Sequence, residues 1–126
     1  MPKKAYILIV EDAPESRLLY QVALTFEGYD VACAGDGLEA LVLIEQRLPD
    51  LVILDLGLPR VDGWAVQQEI AASAVTREIP IVIVTGLDVA PDALDVACVL
   101  RKPVTMQQLV DIVRDCLGSG ADVVVR

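Results

Sequence analysis

The chain has 126 residues, a formal net charge of −9 and no histidine. Without an imidazole it cannot use histidine as a nucleophile's partner or as a zinc ligand, and it cannot itself carry phosphohistidine. The excess of acidic residues argues against direct contact with nucleic acid, because phosphate backbones are held by clustered Lys and Arg. Any phosphoryl or metal chemistry must therefore rest on carboxylates.

Length and hydropathy predict one cytoplasmic domain. A chain of this size fits a single core, which we place at residues 1–118, with residues 119–126 as a C-terminal tail or the start of a linker. No apolar run is long enough to span a membrane, and the N-terminus lacks the apolar segment of a secretory signal. The odd number and wide spacing of the cysteines fit small buried side chains in a reducing compartment. These cysteines are Cys33, Cys98 and Cys116.

Five apolar runs predict strands at residues 5–10, 29–34, 51–54, 79–84 and 97–100. The first, third and fourth are continuous and rich in branched side chains, which is typical of strands buried on both faces. Strands that alternate with helices indicate a parallel sheet with helices on both faces, because right-handed crossovers place them there. The sequence therefore predicts an α/β fold.

Helical periodicity fills the segments between these strands. One helix is expected between Pro14 and Gly28, two more at 36–47 and 63–73, and a last one from an N-cap at Thr105 to Gly118. The apolar positions of the first helix are Leu18, Leu19, Val22, Ala23 and Phe26. The apolar face of the last helix is the clearest in the chain, and comprises Leu109, Ile112, Val113, Cys116 and Leu117.

Polar residues follow four of the predicted strands at the point where each strand ends. They are Glu11 and Asp12, then Asp55, then Thr85 and Gly86, then Lys102 and Pro103. In a doubly wound sheet these ends form one edge, where functional groups gather. Three carboxylates with backbone carbonyls and water suit magnesium. Magnesium and a lysine beside a carboxylate are also what phosphoryl transfer to an aspartate nucleophile requires.

The chain resembles a receiver domain of the bacterial response-regulator family, of the CheY-like superfamily, over residues 4–117. The resemblance is carried by ILIVEDAPESR, DLVILDLGLPRVDGW, PIVIVTG and LRKP, in the family's order and at nearly its spacing. It implies a flavodoxin-like five-stranded parallel sheet in the order 2-1-3-4-5. It also implies a role in two-component signalling, in which a phosphoryl group passes from a partner's phosphohistidine to this chain.

The resemblance implies a role for each matching residue. Asp55 would be the phosphoacceptor, and Thr85 and Lys102 would contact the phosphoryl oxygens. Mg²⁺ would be held by Asp12 directly, by Glu11 mainly through water, by Asp55 and by the carbonyl of Gly57. Lys102–Pro103 resembles the family's cis peptide.

The partners implied by the resemblance are a sensor histidine kinase or a histidine phosphotransfer protein, a downstream effector or fused output domain, and a second copy in a weak homodimer. Beyond magnesium-dependent self-phosphorylation and slow autodephosphorylation, no enzymatic activity is expected.

Two features depart from the family pattern. Only 17 positions separate Thr85 from Lys102, fewer than a full fourth helix usually needs, and the segment GLDVAPDALDVA contains a proline and three aspartates. We therefore expect the fourth helix to be shortened or missing. Val99 stands where the family usually has Tyr or Phe, a ring that turns inward on phosphorylation. Together these departures predict an intact acceptor site with an atypical output face.

Three alternatives remain at this stage. A phosphohydrolase resembling the haloacid dehalogenase group would need an aspartate two positions after the nucleophile, where this chain has Gly57. A flavin-binding protein of similar architecture would need a phosphate loop after the first strand, where the chain has two acids. The third alternative is a receiver-like interaction module that is not phosphorylated.

Overall fold

The computed structural model describes residues 4–87 and 96–119, together with the backbone of 124–125. The strands are β1 (Tyr6–Val10), β2 (Asp30–Ala34), β3 (Leu51–Leu54), β4 (Ile81–Thr85), β5 (Cys98–Arg101) and β6 (Val124–Val125). The helices are α1 (Pro14–Phe26), α2 (Gly37–Gln46), α3 (Gly63–Ala72) and α4 (Met106–Ser119). All pairings are parallel, in the order β2-β1-β3-β4-β5-β6.

The first five strands confirm the predicted order 2-1-3-4-5 of a flavodoxin-like sheet. The sixth strand was not predicted, because its two residues are too few to show a strand pattern. It lies within the expected tail and pairs with β5 in the register Cys98↔Val124 and Val99↔Val125. The predicted shortening or loss of a helix between β4 and β5 falls mainly on residues 88–95, which lie outside the described residues.

Two layers of apolar side chains cover the sheet. On one face α2 and α3 pack over Leu8, Val10 and Leu54. On the other face α1 and α4 pack over Ile7, Ile9 and other alternate residues of the same strands. All five residues of β1 are buried because this central strand has a layer on each side. The sheet is therefore a rigid support for whatever follows the ends of its strands.

The apolar stripe of α1 faces outward, although the helix itself was predicted correctly. Tyr20 and Leu24 are the residues of α1 buried against the sheet. Four of the five residues that gave the apolar periodicity are more than half exposed; they are Leu18, Leu19, Val22 and Phe26. Amphipathic periodicity assigns the apolar side to the core by default, and here that assignment is wrong. We call these four residues the α1 stripe.

The helix ends follow the sequence signals closely. Gly28 has φ +95, and it follows α1 as predicted. The hydroxyl of Thr105 accepts a hydrogen bond from Gln108 N at 3.0 Å, and Gln108 Oε1 accepts one from Thr105 N at 2.8 Å. This reciprocal pair is a capping box at the start of α4. The predicted stop at Gly118 is one residue early, since α4 ends at Ser119.

The cysteines are partly or fully buried, as expected for small apolar side chains: Cys98 is buried, and Cys33 and Cys116 are half-buried. Among the described helices, none combines the length and the apolar character that crossing a membrane would require.

Candidate functional site at the carboxyl edge of the sheet

The site lies where hydrogen bonding between the central strands continues one residue past their ends. Glu11 N donates to Ala34 O at 3.0 Å, and Asp55 N donates to Val10 O at 3.0 Å. These bonds hold the backbones of Glu11 and Asp55 in register with the sheet. Both side chains are largely buried, with 1% of Glu11 and 9% of Asp55 exposed. The position of the acids is therefore set by the sheet and not by a mobile loop.

Three carboxylates meet at this edge. Each of Glu11, Asp12 and Asp55 contributes an oxygen, and these oxygens all lie within 4.8 Å of one another. Asp12 is exposed, so the cluster opens to solvent on one side. An all-oxygen set with an open side suits a hard divalent cation that keeps several water ligands, as magnesium does. The residues present therefore fit such an ion.

Lys102, which follows β5, contacts two of these acids across the ends of the strands. Its Nζ donates to Glu11 Oε1 at 2.7 Å and to Asp55 Oδ2 at 3.1 Å. Burial raises the pKa of Glu11, and the Lys102 ammonium opposes that rise while neighbouring Asp55 adds to it. For Lys102, burial favours the neutral amine, but the contacts with both carboxylates outweigh it and raise the pKa. The lysine thus stays charged and offsets part of the repulsion between the acids.

Thr85 completes the edge at the end of β4. Its side chain is 1% exposed, and its Oγ1 accepts a hydrogen bond from Leu87 N at 3.1 Å. Because that oxygen is the acceptor in this bond, the hydroxyl proton is available for a further acceptor. A Cβ added at Gly86 would meet no heavy atom of the described residues within 4 Å. The edge therefore stays open beside the threonine.

The loop between β3 and α3 is held by backbone contacts. Gly57 N donates to Asp55 Oδ1 at 3.1 Å. A Cβ at Gly63 would lie 2.1 Å from Asp55 O, and one at Gly37 would lie 1.7 Å from Val61 O. Only glycine permits these approaches, which dock the starts of α3 and α2 against the loop. The Asp55 carboxylate is thus held by the Gly57 amide, while the backbone carbonyl of Asp55 lies against the start of α3.

One residue of this loop was not anticipated from the sequence. Arg60 has φ 62, a conformation uncommon outside glycine, and its guanidinium pairs with Asp36. Asp36 also caps α2, because its Oδ1 accepts a hydrogen bond from Glu39 N at 2.8 Å. This bond is the main cause of the lowered pKa of Asp36, and the Arg60 guanidinium lowers the pKa further. No pattern in the sequence links positions 36 and 60, since the pair forms only after the chain has folded.

The structure thus brings Glu11, Asp12, Asp55 and Lys102 into one cluster, with Thr85 on the adjoining strand end. Gly57 lies beside them in the loop. Asp62 caps α3 by accepting from Ala65 N at 2.9 Å. Val99 is buried, with 7% exposed, and Trp64 is 38% exposed at the start of α3. The Lys102–Pro103 peptide is cis, as the resemblance implies.

Comparison with known proteins gives the same assignment. A family model described as response regulator receiver domain matches residues 7–114. The chain is 43% identical over 88 residues to the probable transcriptional regulator ycf27 of Guillardia theta, with 69% of the chain and 34% of the relative covered. It is 35% identical over 116 residues to the DNA-binding dual master transcriptional regulator RpaA of Synechocystis, with 88% and 48% covered. The chain spans about a third to a half of the length of these two relatives.

Solved structures agree in fold. A putative response regulator from Chloroflexus aurantiacus superposes with a TM-score of 0.85 at 32% identity, covering 91% of this chain and 98% of that one. The receiver domain of the sensor histidine kinase PA1611 from Pseudomonas aeruginosa gives 0.84 at 29% identity, covering 93% and 100%; that structure has a magnesium ion coordinated in its active-site cleft. From its motifs, its sheet and these matches, the chain belongs to the response regulator receiver domain family of two-component signalling.

Proposed function

We propose that this domain accepts a phosphoryl group on Asp55 from a phosphohistidine on a partner protein, with Mg²⁺ bound beside the acceptor. The observation that carries the proposal is the shared contact of the Lys102 ammonium with Asp55 and Glu11 inside the acid cluster. A carboxylate needs no base to become a nucleophile. A chain without histidine can therefore perform this chemistry.

The transfer is an in-line displacement at phosphorus. An oxygen of Asp55 forms the new P–O bond while the P–N bond of the phosphohistidine breaks, and the imidazole nitrogen keeps the bonding electron pair. The product on this chain is an acyl phosphate. No proton has to be removed from Asp55, because it reacts as the carboxylate that already accepts hydrogen bonds from Lys102 and Gly57.

The residues around Asp55 supply the stabilisation that phosphoryl transfer needs. In this proposal the Lys102 ammonium and the Thr85 hydroxyl donate to phosphoryl oxygens, where negative charge must be balanced. Glu11, Asp12, Asp55 and the carbonyl of Gly57 would hold Mg²⁺, which when bound neutralises further charge on the same oxygens. Gly57 offers no side-chain acid, so we propose that the domain does not turn over external phosphate esters.

The exposed apolar residues of the α1 stripe are suited to contact a partner through an apolar surface, such as the apolar face of a helix. A phosphohistidine donor must bring its imidazole against Asp55, so its surface has to contact the residues around the site. The stripe begins on the second turn of α1, which starts two residues after Asp12. Contiguous exposed apolar side chains next to a functional site are typical of an interaction surface. We propose this stripe as the docking surface for the donor. We also propose that the transfer takes place in the cytoplasm.

Labelling with a small phosphodonor tests the acceptor. Incubation with acetyl phosphate and Mg²⁺ is expected to phosphorylate the wild-type chain and Asp30→Asn, but not Asp55→Asn. Asp30 is the matched control because it lies at the opposite end of the sheet and pairs with Arg47 on the surface. Equal labelling of Asp55→Asn would refute the assignment, and an unlabelled wild type would favour the interaction module.

A further inference from the structure

An apolar groove that the proposed transfer does not use lies between α2 and α3. It encloses about 390 Å³, and its lining includes no residue of the acid cluster. Its apolar lining consists of Leu38, Leu41, Val42, Ile44 and Ile70. Ile44 and Ile70 are buried and belong to the core, whereas Leu38 and Val42 are 45% and 44% exposed. This surface, which we call the α2–α3 groove, therefore offers solvent an apolar floor and an apolar wall.

The wall formed by α2 follows from the spacing of its side chains. Four lining residues stand at positions i, i+3, i+4 and i+7, which lie along one side of a helix; they are Leu38, Leu41, Val42 and Glu45. At the rise of an α-helix this row is about 10 Å long, or two turns. At the far end, the buried Thr76 hydroxyl donates to Ile70 O at 2.7 Å, so this polar group has its partner within the protein. An occupant therefore needs only apolar groups over the floor.

Negative charge lies on both sides of the groove. Glu45 of α2 and Glu69 of α3 line it, and both side chains are exposed. Neither forms an ion pair with any residue of 4–87 or 96–119. The sequences of α2 and α3 contain no lysine or arginine, and the arginines that flank the two helices, Arg47, Arg60 and Arg77, each pair with a different carboxylate. The two glutamates are therefore available to a positively charged partner.

The occupant that fits this surface is an amphipathic helix with basic residues beside its apolar row. Helices bind to such grooves through apolar side chains at i, i+3 or i+4, and i+7, which matches the length of the row on α2. Lys or Arg side chains on the two flanks of that helix would face Glu45 and Glu69, and complementary charge favours association and selects the partner. A second copy of this chain is disfavoured, because each copy has a formal net charge of −9.

We propose that the α2–α3 groove is a docking site for a basic amphipathic helix of a partner protein. Apolar side chains of that helix pack against Leu38 and Val42, and its Lys or Arg side chains pair with Glu45 and Glu69. The site shares no residue with the acid cluster or with the α1 stripe. It therefore does not depend on the assignment of Asp55 as the phosphoacceptor.

The test is a titration of the protein with a synthetic peptide, followed by backbone amide NMR. The peptide has leucine along one helical face and lysine elsewhere, and at about 18 residues it is long enough to form a helix. The largest shift changes are expected in α2 and α3, and the same peptide with glutamate in place of lysine should bind at least about tenfold more weakly. Val42→Gln should weaken binding roughly tenfold. Val22→Gln, the same substitution in the α1 stripe, is the matched control and should bind like the wild type.

A second pair of variants tests the charges. Glu45→Gln combined with Glu69→Gln should weaken binding roughly fivefold. Glu27→Gln combined with Asp111→Asn removes the same charge from the end of α1 and from α4, which cover the opposite face of the sheet, and should leave binding unchanged.

The proposal would be overturned if the lysine peptide did not bind, if the shift changes centred on α1, or if the control of either pair weakened binding as much as its groove variant. The amide spectrum of each variant shows whether the fold is retained. Labelling by acetyl phosphate reports separately on Asp55, and the groove variants are expected to keep it.

Discussion

The Lys102 ammonium contacts two carboxylates, those of Glu11 and Asp55, which differ in how deeply they are buried. Glu11 Oε1 lies 2.7 Å from its Nζ, and only 2% of the Glu11 side chain is exposed. A buried carboxylate that loses its cation keeps its desolvation cost without compensation. The lysine therefore stabilises the folded protein, in addition to the role in phosphoryl transfer that we propose for it.

Lys102→Gln is expected to lower the free energy of unfolding by about 1–3 kcal/mol in the absence of divalent cation, because the Glu11 carboxylate is left unpaired. Added Mg²⁺ should recover part of this loss, since the ion then neutralises the same acids. Urea unfolding with and without Mg²⁺ measures both effects. A variant as stable as the wild type in metal-free buffer would contradict the role given to this contact.

The sequence predicts the position of those site residues that directly follow a strand. Asp55 and Thr85 each follow a continuous apolar run, and in a parallel sheet such ends share one edge, so their meeting follows from the pattern. The pairing of Arg60 with Asp36 has no such signal, because it depends on how two loops pack. The pattern also gave the wrong face to the apolar residues of α1, since periodicity shows that a stripe exists but not what covers it.

At the scale of elements, substitutions in the α1 stripe test the proposed docking of the donor separately from the chemistry at Asp55. Val22→Gln combined with Leu19→Gln should slow phosphotransfer from a phosphorylated histidine partner by roughly tenfold or more, since apolar anchors dominate interface energy. Labelling by acetyl phosphate should be unchanged, because the small donor needs no docking surface.

Leu48→Gln is the control for this pair, as Leu48 is 50% exposed and follows α2 on the opposite face of the sheet. Equal loss of acetyl phosphate labelling in the stripe variant would show that the stripe acts through the fold and not through docking.

The starts of α2 and α3 depend on glycine for their approach to the acceptor loop. Gly63→Ala would place a Cβ 2.1 Å from Asp55 O, so the helix or the loop must shift. We expect destabilisation of about 3 kcal/mol and weaker Mg²⁺ binding, because Asp55 and Gly57 move with the loop. Gly118→Ala in α4 meets nothing within 4 Å among residues 4–87 and 96–119 and should stabilise by about 0.5–1 kcal/mol. Chemical denaturation of both variants tests this; equal stabilities would contradict it.

At the scale of the whole molecule, folding and cation binding are linked. The acid cluster assembles only when β1 and β3 lie side by side, so the unfolded chain has no equivalent site. Mg²⁺ at ten times its dissociation constant should raise the free energy of unfolding by about 1.4 kcal/mol. Asp12→Asn should remove most of this gain, and Asp30→Asn should keep it. Thermal unfolding against Mg²⁺ concentration measures the difference, and an identical response in both variants would rule out the cluster as the binding site.

The fold itself was largely predictable, because the alternation of buried strands and helices leaves few topologies for a parallel sheet. The parallel sheet and the edge that carries the site followed from this alternation, while the order of the first five strands was implied by the resemblance to receiver domains. Strand β6 did not follow from either, since two residues carry no periodicity and the pairing arises from the unpaired outer edge of β5. The arrangement of the strands thus determines where the site lies. Local contacts, such as the pairing of β6 with β5, determine how the edges and loops are covered.

Whether Asp55 receives the phosphoryl group can be determined by locating the modified residue chemically. After labelling with acetyl phosphate and Mg²⁺, borohydride reduces an aspartyl phosphate to homoserine, which peptide mass spectrometry can place in the sequence. We expect homoserine at position 55 in the wild-type chain, with its yield abolished by removal of Mg²⁺. Homoserine at another aspartate position, or none at position 55 in a chain that has incorporated phosphate, would contradict the assignment of Asp55 as the acceptor.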